Sequence, residues 1–442
     1  MEIKRNIIQK LIKWKDSEFR NPLIIQGARQ VGKTYLLKSF GKKHYESTAY
    51  FNFEKTPELA QFFEHSKEPK KILENLSVLH GSNIKPQNTL IIFDEIQECN
   101  QALNSLKYFC EETPEYHIAC AGSLLGVALS RGMSFPVGKV DFENIYPVSF
   151  SEFLNIADKN LFSYLNNMNK IETIPDIFFN KILEKFKLYS ISGGMPKSII
   201  TLLSDKGVDL CETVLLNIIN SYKLDFSKYV TNKDIQKINY IWESMPSQLS
   251  RENKKFVYKT LKIGARARDY EDALLWLVNA GLIYKIYRNE KANLPLSAYD
   301  DLSAFKIYLL DVGVLRRLSN LKPSVLVDGN RIFSEFKGAL SENYILQSLI
   351  LQFNEIPRYW TSGNKAEVDF LLQFDNEIIP IEVKSNVNVK SKSLFYYRQK
   401  YSPPVCIRYS LNNLKYSGGI LNIPLFMCDF TERILNYLMI SR

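Results

Sequence analysis

The chain has 442 residues with a hydrophobic content of 45%, enough for large cores and too long for one ordinary domain, so about two to four domains are expected. Lys and Arg number 57 against 47 Asp and Glu, which gives a net charge of +10 and points to a polyanionic partner such as nucleic acid, DNA or RNA alike. The 6 cysteines form no Cys-x-x-Cys pair and the 4 histidines show no ligand spacing with them, so neither a zinc site nor a disulfide framework is expected. No apolar run reaches the length of about 18 residues that a membrane span needs, and the charged start lacks a leader pattern; a reducing cytoplasm and no membrane partner are the expectation.

Residues 1–20 read as an amphipathic helix, with Ile7, Ile8, Leu11, Ile12 and Trp14 on one face. Apolar strands at 22–26, 49–54, 90–94, 117–121 and 140–146 then alternate with helical stretches, which predicts a parallel α/β sheet up to about residue 150. Residues 151–224 follow a helical pattern, opened by Ser149 or Ser151 as cap. Residues 225–295 read as a smaller helical unit ending in a hairpin, and 296–442 return to mixed strands and helices, with strands at 307–310, 367–372 and 378–383.

The first chemical signal is Gly27-Ala28-Arg29-Gln30-Val31-Gly32-Lys33-Thr34, followed by Tyr35 and a helical stretch. It matches the phosphate-loop pattern and sits between a strand and a helix, the context that pattern needs. Its glycines turn backbone N–H groups toward phosphate oxygens, Lys33 reaches the β/γ phosphates of ATP, and Thr34 offers a hydroxyl to Mg²⁺. An apolar strand ending in Asp94-Glu95 supplies the second half: Asp94 to hold Mg²⁺ and Glu95 to polarise the attacking water. Ser123 ends the next strand and reads equally as a γ-phosphate sensor or as a helix cap. Glu54 ends a strand on the same side with no role assigned, and Arg131 is a candidate finger or a solvated surface arginine.

Gly27–Thr34, Phe93-Asp-Glu-Ile-Gln97, Ala121-Gly-Ser123, Tyr146-Pro-Val-Ser-Phe-Ser-Glu-Phe-Leu154 and Gly193-Gly-Met-Pro196 occur in this order. Together they resemble the AAA-like ATPases of bacteria and archaea that carry a C-terminal domain of unknown function. The resemblance implies a P-loop ATPase domain over 1–150, a helical lid over 151–224, and Gly193–Pro196 near the nucleotide. Lys197 is the one cation beside that segment, so an arginine sensor in the lid is not expected.

Within 261–284 the order turn, helix, turn, strand is similar to a winged helix, and Lys254, Lys255, Lys259, Lys262, Arg266 and Arg268 gather around it. Phosphate contact and simple packing between domains are both open for this unit. Further on, Glu342 is the lone acid on an apolar helical stripe, Asp369 lies on a strand opposite Val368 and Phe370, and Glu382 shares a strand face with Lys384. The set resembles the core of PD-(D/E)xK nucleases. That resemblance implies Mg²⁺ held by Asp369 and Glu382, completed by Glu342, with Lys384 orienting water against a phosphodiester. An inactive version of the same fold, kept for binding nucleic acid or docking a protein, is the rival expectation. No acid occurs between Val383 and Cys428, where Lys384, Lys390, Lys392, Arg398, Lys400, Arg408 and Lys415 mix with Phe395, Tyr396, Tyr397 and Tyr401 as candidate base-stacking groups. The sequence is compatible with a homo-oligomer and fixes no oligomeric state.

Overall fold

The computed structural model describes every residue except 1, 130–134, 206, 229, 252–253, 328–333, 364, 386–390 and 441–442. Strands β1 (Leu23–Gln26), β2 (Ser47–Asn52), β3 (Thr89–Asp94), β4 (His117–Gly122) and β5 (Asp141–Asn144) form one sheet in the order β2-β3-β4-β1-β5. All four pairings are parallel. Parallel strands need covered faces, and β3 and β4 are buried along their whole length. Phe93 anchors one layer, with the rings of Phe53 and Phe63 packed edge-on at 5.7 Å each. The N-terminal helix is shorter than its pattern, Ile8–Lys15, and buries Leu11 and Trp14.

The chain divides into two compact units. The first holds Arg5–Tyr146 and recruits Leu275–Leu282 from far along the sequence; the second gathers Pro147–Leu274 and Ile283–Arg442. The recruited segment lies against the phosphate loop: a methyl group added to Gly281 would stand 3.4 Å from the Ala28 nitrogen.

The second unit opens with helix Phe150–Ala157, and Ser149 is its cap. Ser149 Oγ accepts from the Glu152 N–H at 3.2 Å while Glu152 accepts from the Ser149 N–H at 3.0 Å, a closed capping box. Its sheet has eight strands. They are β6 (Ile283–Asn289), β7 (Asp300–Leu309), β8 (Arg358–Thr361), β9 (Glu367–Phe374), β10 (Glu377–Val383), β11 (Cys406–Ser410), β12 (Lys415–Ser417) and β13 (Ile420–Pro424), in the order β12-β13-β11-β10-β9-β8-β6-β7. The hairpin expected at the end of 225–295 is β6–β7. Its strand β6 pairs with β8, so the hairpin continues the C-terminal sheet. Strands β9 and β10 form the expected antiparallel hairpin, and β10 pairs in parallel with β11 after the helix Lys392–Tyr401.

Buried polar groups stitch the helical and mixed parts of this unit. Asp311 accepts from the Gly194 N–H at 2.5 Å and the Val314 N–H at 2.9 Å; burial pushes its carboxyl up to about 6 in spite of those donors. Arg316 is fully buried, paired with Glu212, and donates to the Ile191 and Leu321 carbonyls. The Gly193–Pro196 turn is thus built onto Asp311 within the second unit. Among the described residues no helix is long and apolar enough to cross a membrane.

Candidate functional site

The phosphate loop needs backbone shapes that side chains resist. Gly27 has φ 152° and Gly32 φ 99°, and a Cβ on Gly27 would lie 2.2 Å from the Ile145 carbonyl oxygen. Gly32 leads into helix Lys33–His44, which places Lys33 and Thr34 in the first turn. The Lys33 ammonium is buried and donates to the Gly27 and Ala28 carbonyls at 2.8 Å each, and burial pulls it down to about 8 against the pull of Glu95 and Asp94. Arg5 braces the loop from outside the motif, donating to the Val31 carbonyl at 3.2 Å and the Tyr146 carbonyl at 2.6 Å. Gln30 sits in the left-handed region, φ 66°. Arg29 lies 3.9 Å from Glu54, and Tyr35 is exposed.

Strand β3 delivers Asp94 to the same place. Thr34 Oγ1 is 3.0 Å from both Asp94 carboxylate oxygens. The neighbouring strand β2 adds two donors that no motif announces: the Tyr50 hydroxyl at 2.6 Å and the Asn52 amide at 3.0 Å, both on Asp94 Oδ2. Burial and the bond to Asp94 push the Tyr50 hydroxyl up to about 12, and Lys38 stands 3.4 Å from the centre of its ring. Glu95 follows in a left-handed conformation, φ 52°. Its Oε2 accepts from the Gln97 amide at 2.7 Å and the Ser123 hydroxyl at 3.0 Å. The structure therefore brings Lys33, Thr34, Asp94, Glu95 and Ser123 together. Thr34 and Asp94 fit a divalent cation, being a hydroxyl and a buried carboxylate facing one another at the mouth of the loop. Arg131 lies outside the described residues.

The second cluster is built differently. Asp369 on β9 accepts from the Val383 N–H at 2.8 Å, which sets it beside Glu382 on β10. Lys384 pairs with Glu382 Oε1 at 2.9 Å, and the charges of Glu382, Asp369 and Glu342 hold its ammonium above the usual range against burial. The second carboxylate oxygen of the buried Glu382 has no hydrogen-bond partner. Glu342, on helix Ser334–Phe353, has both oxygens engaged: Lys254 on one and the Tyr308 hydroxyl at 3.1 Å on the other. Burial pushes the Glu342 carboxyl up, yet Lys254 and Lys306 outweigh it and hold it low. Asp369 is pushed up to about 7 by burial and then by the Glu342 charge. Lys306 is fully buried and pairs with Glu367; burial works against its charge, and Glu367, Glu342 and Asp369 overcome it.

Two expectations are corrected here. Lys254 was grouped with phosphate-contacting cations, but its ammonium is turned inward onto Glu342. Lys255, Lys259, Lys262, Arg266 and Arg268 are exposed. Among the aromatic groups after Ser391, Tyr397 and Tyr401 pack edge-on against Trp360 at 5.2 and 5.7 Å, and Tyr396 stacks on it at 6.2 Å. Phe395 is exposed, while Lys400 lies over the Trp360 ring and Arg398 is held by the Gly418 carbonyl. A tryptophan thirty-odd residues upstream (Trp360) takes the stacking that the pattern assigned to bases. Lys390 lies outside the described residues. Among the described residues, no group of three or more His, Cys, Asp or Glu side chains is arranged to hold a metal ion.

Residues 19–154 match the family model of the AAA domain. Over those residues the chain is similar to that domain. It has the parallel sheet and phosphate loop of a P-loop ATPase. Residues 183–325 match a domain of unknown function, DUF8612, and residues 337–426 match another, DUF4143. The first of these runs through the Asp311 and Arg316 contacts, across the expected boundaries at 224 and 295. No curated protein matches the chain. Solved structures with similarity include the Thermotoga maritima RuvB Holliday junction branch migration motor, 14% identical over 66% of this chain and 91% of that one, TM-score 0.28. Drosophila ORC bound to DNA is 13% identical over 67% of this chain and 89% of that one, TM-score 0.27.

Proposed function

We propose that the first unit binds ATP with Mg²⁺ and hydrolyses it, and that the second unit, with a helical lid over 151–224, a winged-helix-like part over 225–295 and a nuclease-like α/β part over 296–442, engages nucleic acid. The observation that carries the ATPase reading is the contact of Thr34 with both Asp94 oxygens at 3.0 Å, one residue from a glutamate held by Ser123. Lys33 offers its ammonium to the β/γ phosphates, and the loop N–H groups take the remaining phosphate oxygens. Bound Mg²⁺ would supply charge neutralisation on the phosphates, with Thr34 and Asp94 as its protein ligands. Glu95 orients the attacking water and takes up its proton, and Ser123 keeps the carboxylate aimed.

The test is ATP turnover and ATP binding measured side by side. Glu95→Gln should bind ATP as the parent does and turn it over about 10²–10⁴-fold more slowly, the range for loss of a positioned base. Lys33→Ala should lose ATP binding. If Lys33→Ala binds ATP as tightly as the parent, the assignment is wrong.

A second reading, Mg²⁺-dependent phosphodiester cleavage by the Asp369–Glu382–Lys384 group, is favoured by the unpartnered oxygen of Glu382. The engaged state of Glu342 supports the rival, a nuclease-like fold used for binding. Cleavage of mixed DNA and RNA with Mg²⁺ or Mn²⁺ separates the two, and Asp369→Ala should remove any cleavage seen.

A further inference from the structure

We propose that Gln97 is a positioning residue for ATP hydrolysis: together with Ser123 it pins one carboxylate oxygen of Glu95, so that the other oxygen, Oε1, takes the proton of the attacking water. The proposal rests on the reading of Glu95 as the base given above.

Glu95 stands on a turn that does not by itself aim its side chain. It follows the last residue of β3 and leads into the short helical turn Ile96–Glu98, which carries Gln97. A long, unbranched side chain at such a place is free to turn, and a base has to be held where the water will be. Two donors hold it, the Gln97 amide at 2.7 Å and the Ser123 hydroxyl at 3.0 Å, and both fall on Oε2. No described residue donates to Oε1. As the water oxygen bonds to the γ-phosphorus and the bond from that phosphorus to the ADP oxygen breaks, the water gives its proton to Oε1, whose lone pairs no donor occupies.

The Gln97 amide is placed for this bond more than for the fold. Its side chain is buried, 6% exposed, yet its amide oxygen has no hydrogen-bond partner. An amide kept for packing alone would satisfy its acceptor as well, because a buried acceptor left unpaired is costly. The reverse orientation would set that oxygen against the Glu95 carboxylate, so only the donating orientation is open. A second contact of the amide nitrogen, to Glu98 Oε1, is longer at 3.5 Å. The neighbouring strand leaves room for the amide. A Cβ on Gly122, the last residue of β4, would lie 2.8 Å from Gln97 Oε1 and 3.3 Å from the Leu125 Cβ. Gly122 is not among the glycines with positive φ, so it is the space beside the amide, and not the backbone, that calls for glycine there. Residues 122 and 123 thus serve one carboxylate, the first by making room for Gln97 and the second by donating.

The experiment is ATP turnover and ATP binding by the full chain with Mg²⁺, in the parent, Gln97→Met, Glu95→Gln and Glu95→Gln/Gln97→Met. Methionine keeps the length of the side chain and removes the donor. The expected result is a kcat about 10–100-fold lower in Gln97→Met, the range for one hydrogen bond to a charged group, with ATP affinity within about twofold of the parent. Adding Gln97→Met to Glu95→Gln should cost no further turnover, since the carboxylate it serves is already gone. A glutamine with a merely structural role would cost turnover in both backgrounds, and that result overturns the proposal. So does a Gln97→Met protein as fast as the parent beside a slow Glu95→Gln, which leaves Glu95 as the base and removes only the role of Gln97. If Glu95→Gln is itself as fast as the parent, the reading of Glu95 fails and this proposal with it. Should Gln97→Met fail to fold, Gly122→Ala keeps the glutamine and pushes its amide aside; it should slow turnover about tenfold in the parent and not at all in Glu95→Gln, and an equal loss in both would overturn the proposal.

Discussion

Asp94 and Glu342 are both nearly buried carboxylates, 3% and 4% exposed, yet their surroundings differ in kind. Asp94 is met by neutral donors, the hydroxyls of Thr34 and Tyr50 and the amide of Asn52. Such donors orient a carboxylate and leave its charge for something else to use. Glu342 is met by Lys254, with Lys306 nearby, so its charge is spent inside the protein. The first arrangement is preorganised for an added cation; the second is complete without one. Reading acids from a sequence cannot distinguish these cases, because the difference lies in the partners.

The comparison can be broken at the second site by removing its cations. Lys306→Met should destabilise the protein by about 3 kcal/mol or more in urea unfolding, since it strands Glu367 beside two further acids. Lys384→Met, which removes a half-exposed lysine but leaves the buried Glu382 without its ion-pair partner, should cost less, about 2 kcal/mol. Equal effects would mean that burial does not separate the two lysines.

A buried base in the first unit sharpens the contrast through pH. His117 accepts or donates at 2.7 Å with the Tyr45 hydroxyl, and burial, followed by Arg20 and Lys15, pulls its imidazole from 6.5 down to about 4. Between those values the unfolded chain takes up a proton that the folded chain refuses. This contribution is therefore fully present above pH 6.5 and is lost as pH falls toward 4. His117→Gln should show a loss of stability between pH 7 and 4.5 smaller than the parent's by about 2 kcal/mol. An identical pH dependence in the two proteins would count against a neutral buried His117.

The smallest effect is expected at Tyr50. Tyr50→Phe removes one neutral donor from Asp94 and should raise the Mg²⁺ concentration needed for half-maximal ATP turnover about tenfold, with the maximal rate within about twofold of the parent. A purely structural tyrosine would leave the Mg²⁺ dependence where it was.

Much of the first unit was legible because its signals are local. A phosphate loop names its own glycines and lysine, and an apolar strand ending in Asp94-Glu95 states where its acids go. The capping box at Ser149 and Glu152 and the hairpin β9–β10 are short-range patterns of the same sort. The residues that complete the sites are another matter. Arg5, Tyr50, Asn52, Lys254 and Lys306 come from elements remote in sequence from the groups they serve, and no spacing rule connects them. The aromatic run after Ser391 misled for a related reason: alternation of basic and aromatic residues is the same whether the rings face a base or Trp360. Charge counts likewise give Lys254 a sign and no direction.

The return of Leu275–Leu282 to the first unit has a consequence for how the protein is made. A ribosome delivers the phosphate loop and its five strands early, but the segment that backs Ala28 emerges about a hundred and thirty residues after Tyr146, once much of the second unit is already outside the tunnel. The nucleotide unit is thus finished late in synthesis, and a fragment ending at residue 146 lacks a wall of its own loop.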